Sequence, residues 1–209
     1  MYKKIVFVFI GFLIVSIFFS CNVIKDVSKM VTNLQKCQFK LENVEGFKLA
    51  GFNLSKIGSI KDFNLLDAAK LFQTFQSKKL PVEFTLNVAA INPNDGTSGT
   101  AKSNVTLKSL DWKLLIDGVQ TIAGAVNTPI EIPGNNQKTI IPLDMKLDLY
   151  EFFGNKGYEN LINLALAIGG VNGSTSKLTL TAKPTISTPF GAMTYPKEIQ
   201  IIDKEYRAD

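Results

Sequence analysis

Between Leu80 and Val126 the chain alternates apolar and polar residues with a period of two, which limits this stretch to half-buried β-strand. Val82, Phe84, Leu86, Val88 and Ala90 fall on one side, and Glu83, Thr85 and Asn87 on the other. The alternation stops at Ile91-Asn92-Pro93-Asn94-Asp95-Gly96, where Pro93 has no N–H for a ladder and Asn, Asp and Gly supply turn conformations. A second run places Leu110, Trp112, Leu114 and Ile116 on one face. Asp117-Gly118 then forms a two-residue hairpin turn into Val119–Ala125. Trp112 is expected in the core, its ring filling space between sheets.

The same reading extends to the rest of the chain. Phe39–Val44 and Gly46–Leu54 are expected as two short strands. Asn64, with Asp67 three residues on, caps a helix from about Leu65 to Lys78 with Leu65, Ala68, Ala69, Phe72 and Phe75 at helical spacing, and Pro81 ends it. Ile130–Ile132 is a short strand, and Ile141, Leu143, Met145, Leu147 and Leu149 alternate with Pro142, Asp144, Lys146 and Asp148. Tyr158, Leu161, Ile162, Ala165 and Ile168 form a second helical face closed by Gly169-Gly170. Leu178, Leu180 and Ala182 alternate again, Pro189–Ala192 turns, and Tyr195–Ile202 is the last strand. Gly118, Gly124, Gly134, Gly169 and Gly170 are read as turn and cap residues. Some seven strands with frequent turns predict a mainly β fold: an immunoglobulin- or fibronectin-like antiparallel β-sandwich with two added α-helices, in one domain over residues 39–209.

The N-terminus reads as an address. Lys3-Lys4 precede an apolar run from Ile5 to Phe19, and Ser20-Cys21 follow. Fifteen apolar residues suit the core of a signal peptide better than a bilayer span. A small residue directly before a cysteine resembles a bacterial lipoprotein signal: residues 1–20 would be removed and Cys21 acylated, giving stable attachment to membrane lipid. An uncleaved helix from Ile5 to Ile24 would tether the same domain, and a merely buried Cys21 is the third reading. Asn22 after the cysteine, where Asp would favour inner-membrane retention, points to the periplasmic face of the outer membrane. Residues 21–38 are a tether or a short amphipathic helix, with Val23, Ile24, Val27, Met30, Val31 and Leu34 at helical spacing. Cys37, alone in an oxidising compartment, is read as a buried structural thiol, with an intermolecular disulfide as the alternative.

Composition removes much chemistry. The chain has no histidine, and its two cysteines cannot make a zinc site. Its formal charge is +5; without Lys3 and Lys4 there are 23 − 2 = 21 basic against 18 acidic residues, or +3, with no basic cluster for nucleic acid. Asp144 and Asp148 share a strand face but lie about 13 Å apart at ~3.3 Å per residue, beyond the spacing of a glycosidase pair, with Lys146 between them. The Asn92–Asp95 turn offers too few ligands for calcium. A Ser–His–Asp site is impossible without histidine, and no spacing supports a Ser–Lys dyad. No catalytic, metal or cofactor residues are expected.

Several features occur in one order: a strand ending in Asn92-Pro93-Asn94, then Leu114-Leu115-Ile116-Asp117-Gly118-Val119, Gly124, Ile132-Pro133-Gly134 before the Thr139–Leu149 strand, and Thr188-Pro189-Phe190-Gly191 after Leu178–Lys183. In this order the chain resembles the second-group late-embryogenesis-abundant family, also called the water-stress and hypersensitive-response (WHy) domain, from about Phe39 to Lys204. The two helices, Asn64–Lys79 and Gly157–Ile168, resemble the longer bacterial lipoprotein versions rather than the compact plant module. The resemblance implies a β-sandwich and a stress-associated, non-enzymatic, often membrane-tethered protein. The family has no agreed catalytic residues, and Asn92, Pro93, Asn94, Asp117 and Gly118 are expected to be structural. The functional expectation is a membrane-anchored binding or protective module of the bacterial envelope, linked to water or osmotic stress. Its alternative is an assembly or adaptor lipoprotein that holds another envelope protein by a sheet edge.

Overall fold

The computed structural model describes residues 32–33, 36–54, 63–97, 102–170, 176–188 and 191–206. The expected signal segment, Cys21, most of the 21–38 tether and the Pro189-Phe190 part of the expected turn lie outside them. The chain is mainly β, with antiparallel sheets that curl into a half-barrel.

Strand β3 (Pro81–Ile91) buries Val82, Phe84, Leu86, Val88 and Ala90, as its alternation requires. It lies between β1 (Gln38–Leu49) and β7 (Lys138–Asp148), and β2 (Phe52–Asn53) completes a sheet of order β2-β1-β3-β7. The two strands expected before Leu54 are largely one. Gly46 interrupts the sequence pattern but not the strand: its φ of +63° and a register shift between Glu45 and Lys48 make it a bulge, a backbone conformation that a side chain resists.

The second sheet is built on β4 (Val105–Ile116). On one side β4 pairs with β5 (Val119–Val126) and β6 (Ile130–Ile132), and on the other with β8 (Ser176–Thr188). Asp117 (φ +50°) and Gly118 (φ +78°) make the expected two-residue turn between β4 and β5. The outer side of β8 pairs with β10 (Ile199–Tyr206) up to Ala182 and with β9 (Gly191–Thr194) from Thr185. Pro184 falls where the outer partner changes, and its carbonyl accepts from the Tyr195 N–H at 2.8 Å. The last strand therefore begins at Ile199, not at Tyr195, and among the described residues there are ten strands where about seven were expected.

Three α-helices lie wholly among the described residues, one more than expected, and Thr32, Asn33 and Lys36 are helical besides. Asn64 caps α1 (Leu65–Gln76) by accepting from the Asp67 N–H at 2.9 Å, and the helix ends two residues before Lys78, whose φ is +57°. The helical spacing of α1 meets the core only in part: Phe75 packs on it and Leu71, outside the expected set, is buried, while Leu65 is 87% exposed. The extra helix, α2 (Leu149–Phe153), is capped by Asp148, which accepts from the Tyr150 N–H at 3.0 Å and the Leu80 N–H at 2.7 Å. A 3₁₀ turn leads into α3 (Tyr158–Ile168), which buries Leu161, Ile162, Ala165 and Ile168 as expected, and Leu164, Leu166 and Ala167 besides. Phe72 and Phe75 of α1 meet Tyr158 edge-on, and Phe75 meets Tyr150. Among the described residues no helix is long and apolar enough to cross a membrane.

One hydrophobic cluster draws on both sheets and all three helices, from Val82 and Leu143 to Leu114, Leu180, Leu71 and Leu161. Trp112 takes its expected core place. Gly124 is not a turn residue: it lies within β5 opposite Trp112, where a Cβ would stand 2.4 Å from the indole ring.

Candidate functional site

The Asn92-Pro93-Asn94 triplet ends β3, and its two asparagines are 0% and 1% exposed. An amide side chain has two donor and two acceptor positions, and burial makes each one that lacks a partner costly. Asn92 engages all four. Its Nδ2 donates to the carbonyls of Ser103 (2.8 Å) and Ile132 (3.0 Å), and its Oδ1 accepts from the Asn94 N–H (3.1 Å) and Asn94 Nδ2 (2.6 Å).

This ties together three chain segments: the end of β3, the approach to β4 and the end of β6. Their backbones close the knot. Asn94 O accepts from the Ser103 N–H, and Asn92 O from the Asn136 N–H. Gly134 fits between them because it has no side chain; a Cβ there would stand 2.4 Å from Asn94 O and 2.5 Å from Ser103 O. Its N–H donates to Asn104 Oδ1 at 3.0 Å. Pro93, with no N–H, sits where β3 has stopped pairing with β7. Next to the knot, Asp95 accepts from the side chain and backbone of Thr97, which hold its carboxyl below its ordinary range.

Asp117 and Gly118 are not part of this arrangement. They follow the C-terminal end of β4, whereas Ser103 and Asn104 precede its N-terminal end. The 12 residues of β4 set the two groups roughly 36 Å apart at ~3.3 Å per residue. Asp117 Oδ1 accepts from the Lys177 N–H (3.0 Å), its own N–H donates to the Lys177 carbonyl (2.8 Å), and Lys156 Nζ lies 3.5 Å from Oδ2. The hairpin is thereby bound to β8 and to the 3₁₀ turn before α3.

Asp144 and Asp148, set aside from the sequence as a pair, have separate duties: Asp144 accepts from the Thr85 hydroxyl, and Asp148 caps α2. Cys37 is half-buried beside Val105 and Ile186, and burial raises its thiol pKa to about 11. The bulge at Gly46 borders a depression of about 400 Å³ on the first sheet, lined by Lys48, Glu83, Thr85, Asp144 and Lys146. There Lys146 bonds Glu83 and holds its carboxyl low, an exposed cross-strand ion pair. Among the described residues no three of His, Cys, Asp and Glu converge on one point.

The parts of the knot that the sequence did not single out are Asn33, Ser103 and Asn104. Their partners in the knot lie 9 to 70 positions away along the chain.

No family model matches the chain, and no curated protein does. Among solved structures, a crystal structure of a protein from Archaeoglobus fulgidus is 14% identical, with a TM-score of 0.32, over 79% of this chain and 98% of its own. A solution structure described provisionally as a late embryogenesis abundant (LEA) protein is 13% identical, with a TM-score of 0.39, over 92% of this chain and 86% of its own. At scores this low neither likeness establishes a shared fold, and the family resemblance rests on the order of motifs.

Proposed function

We propose that the chain is a non-catalytic binding or protective module, anchored through acylated Cys21 to the periplasmic face of a bacterial outer membrane and serving under water or osmotic stress. Its body is read as a β-sandwich of immunoglobulin type, of the second-group late-embryogenesis-abundant or WHy kind. The observation that carries the non-catalytic reading is the state of the motif itself: all four hydrogen-bonding positions of Asn92 are engaged inside the protein, so the residues that mark the resemblance build the scaffold. Anchoring is argued from the sequence around Cys21, and the stress role from the motif order.

The test compares wild type with Cys21→Ala. Intact mass of membrane-extracted wild type should match Cys21–Asp209 plus acyl chains, and the variant should lose both cleavage and acylation. Cells lacking the protein should survive osmotic upshift or drying less well and be rescued by wild type only. An uncleaved, unacylated mass sinks the anchor, and equal survival sinks the stress role.

The adaptor reading has one observation in its favour. Strand β5, which ends its sheet among the described residues, carries no charged residue from Val119 to Val126. Strand β7, at the end of the other sheet, carries Lys138, Asp144, Lys146 and Pro142, the usual deterrents to strand addition. Under this reading, a cross-linker placed at Ala123 captures an envelope protein that one placed at Asp144 does not.

A further inference from the structure

The buried knot reaches beyond the three segments it joins. Asn94 Nδ2 also donates to the backbone carbonyl of Asn33 at 3.3 Å, and Asn33 Nδ2 donates to Ser103 Oγ at 3.0 Å. Four residues on, the Cys37 thiol donates to the same Asn33 carbonyl at 3.4 Å, and Cys37 packs half-buried on the cluster of Val105 and Ile186. Asn33 precedes β1 by five residues. Nothing in the pairing of β1 with β3 requires it to be held, since that register begins at Gln38↔Ile91.

We propose that Asn94 and Ser103 form a clasp for the segment before β1, so that the folded body holds the chain already at Asn33 and not first at Gln38. The buried amide of Asn94 then has two tasks. It closes the knot through Asn92, and it supplies the donor that holds the incoming chain.

The consequence for the molecule rests on the proposed anchor at Cys21. From Cys21 to Asn33 the chain advances 12 residues, a reach of at most about 43 Å; from Cys21 to Gln38 it advances 17, at most about 61 Å. The clasp therefore shortens the tether and fixes which end of the body faces the membrane: the end with the Asn92–Asn94 knot. The helices and the Asp117-Gly118 turn lie at the other end of β4. Among the described residues, single hydrogen bonds and a partly buried thiol hold Asn33 and Cys37. Each such bond is worth about a fivefold change in an equilibrium, so the clasp can open without unfolding the sheets.

Cys37 reports on the clasp directly. The full-length protein is alkylated with N-ethylmaleimide at pH 8, and modification of Cys37 is followed by peptide mass, which separates it from Cys21. Wild-type Cys37 should react at least about tenfold more slowly than in urea-unfolded protein. Asn33→Ala and Ser103→Ala should each speed the reaction about fivefold, and the double variant should be no faster than either, because the two residues share one bond. Thr85→Ala, on the outer face of β3, should react like wild type. Unchanged rates in both single variants overturn the clasp, as does a double variant whose effect is the product of the two. So does an equal gain in Asp117→Ala at the far end of β4, which would make global unfolding the route to the thiol. The assay needs no lipid, so its failure is distinct from failure of the anchor, which the intact mass decides.

Discussion

Asn92 is wholly enclosed, and its replacement by alanine would strand the carbonyls of Ser103 and Ile132 and free the Asn94 amide. Stranding buried groups costs ~1–3 kcal/mol each, so Asn92→Ala should lower stability by about 3 kcal/mol in urea unfolding, far more than an exposed Asn→Ala change. Asn92→Asp keeps the shape but turns both donors into a carboxylate facing two carbonyls, and it should be worse still. Cys37 gives a pH-dependent counterpart. Burial raises its pKa from 9.0 to about 11, so the folded state holds the thiol proton more tightly than the unfolded state. That contribution is complete below pH 9 and is lost as pH rises from about 9 to 11. Wild type should therefore lose more stability over that interval than Cys37→Ala, as read by denaturant midpoints at both pH values. Equal losses would mean that the thiol is as solvated folded as unfolded.

At the scale of elements, what could be read from the sequence was what neighbours in sequence determine. The alternation in β3, β4 and β7 predicts their buried faces because the pleat itself has a period of two. The Asn64 cap and the Asp117-Gly118 turn are equally local. Readings that depended on remote partners failed or stayed incomplete. Gly46 punctuates the sequence like a turn but serves as a bulge, and Gly124 owes its place to the ring of Trp112, twelve positions earlier. Helix α1 shows why apolar spacing alone misleads. At 100° per residue Leu65, Leu71, Phe72 and Phe75 fall within about 120° of one another, yet the core takes only the Leu71 and Phe75 side of that face and leaves Leu65 exposed. Leu71→Ala should thus cost about 2–5 kcal/mol, while Leu65→Lys, at a residue 87% exposed, should stay within about 0.5 kcal/mol of wild type by thermal or urea melts. A large loss from Leu65→Lys would show that something covers this face.

The whole molecule has a polar order along β4: the knot of Asn92, Asn94 and Gly134 at one end, the hairpin of Asp117 with Lys156 and Lys177 at the other, and between them one core shared by both sheets. The two halves of the motif are thus separate fastenings of a single body, which bears on how they combine. Asp117→Ala removes a bond to the Lys177 N–H and an exposed ion pair and should cost about 1 kcal/mol. With roughly 36 Å of strand between the sites and no shared partner, Asn92→Ala and Asp117→Ala should add to within about 0.5 kcal/mol. Because the core is common, each single variant and the double should unfold in one transition with the same denaturant dependence, followed by Trp112 fluorescence and by far-ultraviolet circular dichroism together. Two transitions would divide the chain into units that unfold separately, against the common cluster of buried side chains. A double variant markedly more damaged than the sum would mean that the ends of β4 communicate through the sheet, so that clasping the chain at Asn33 would also stiffen the helices at the far end.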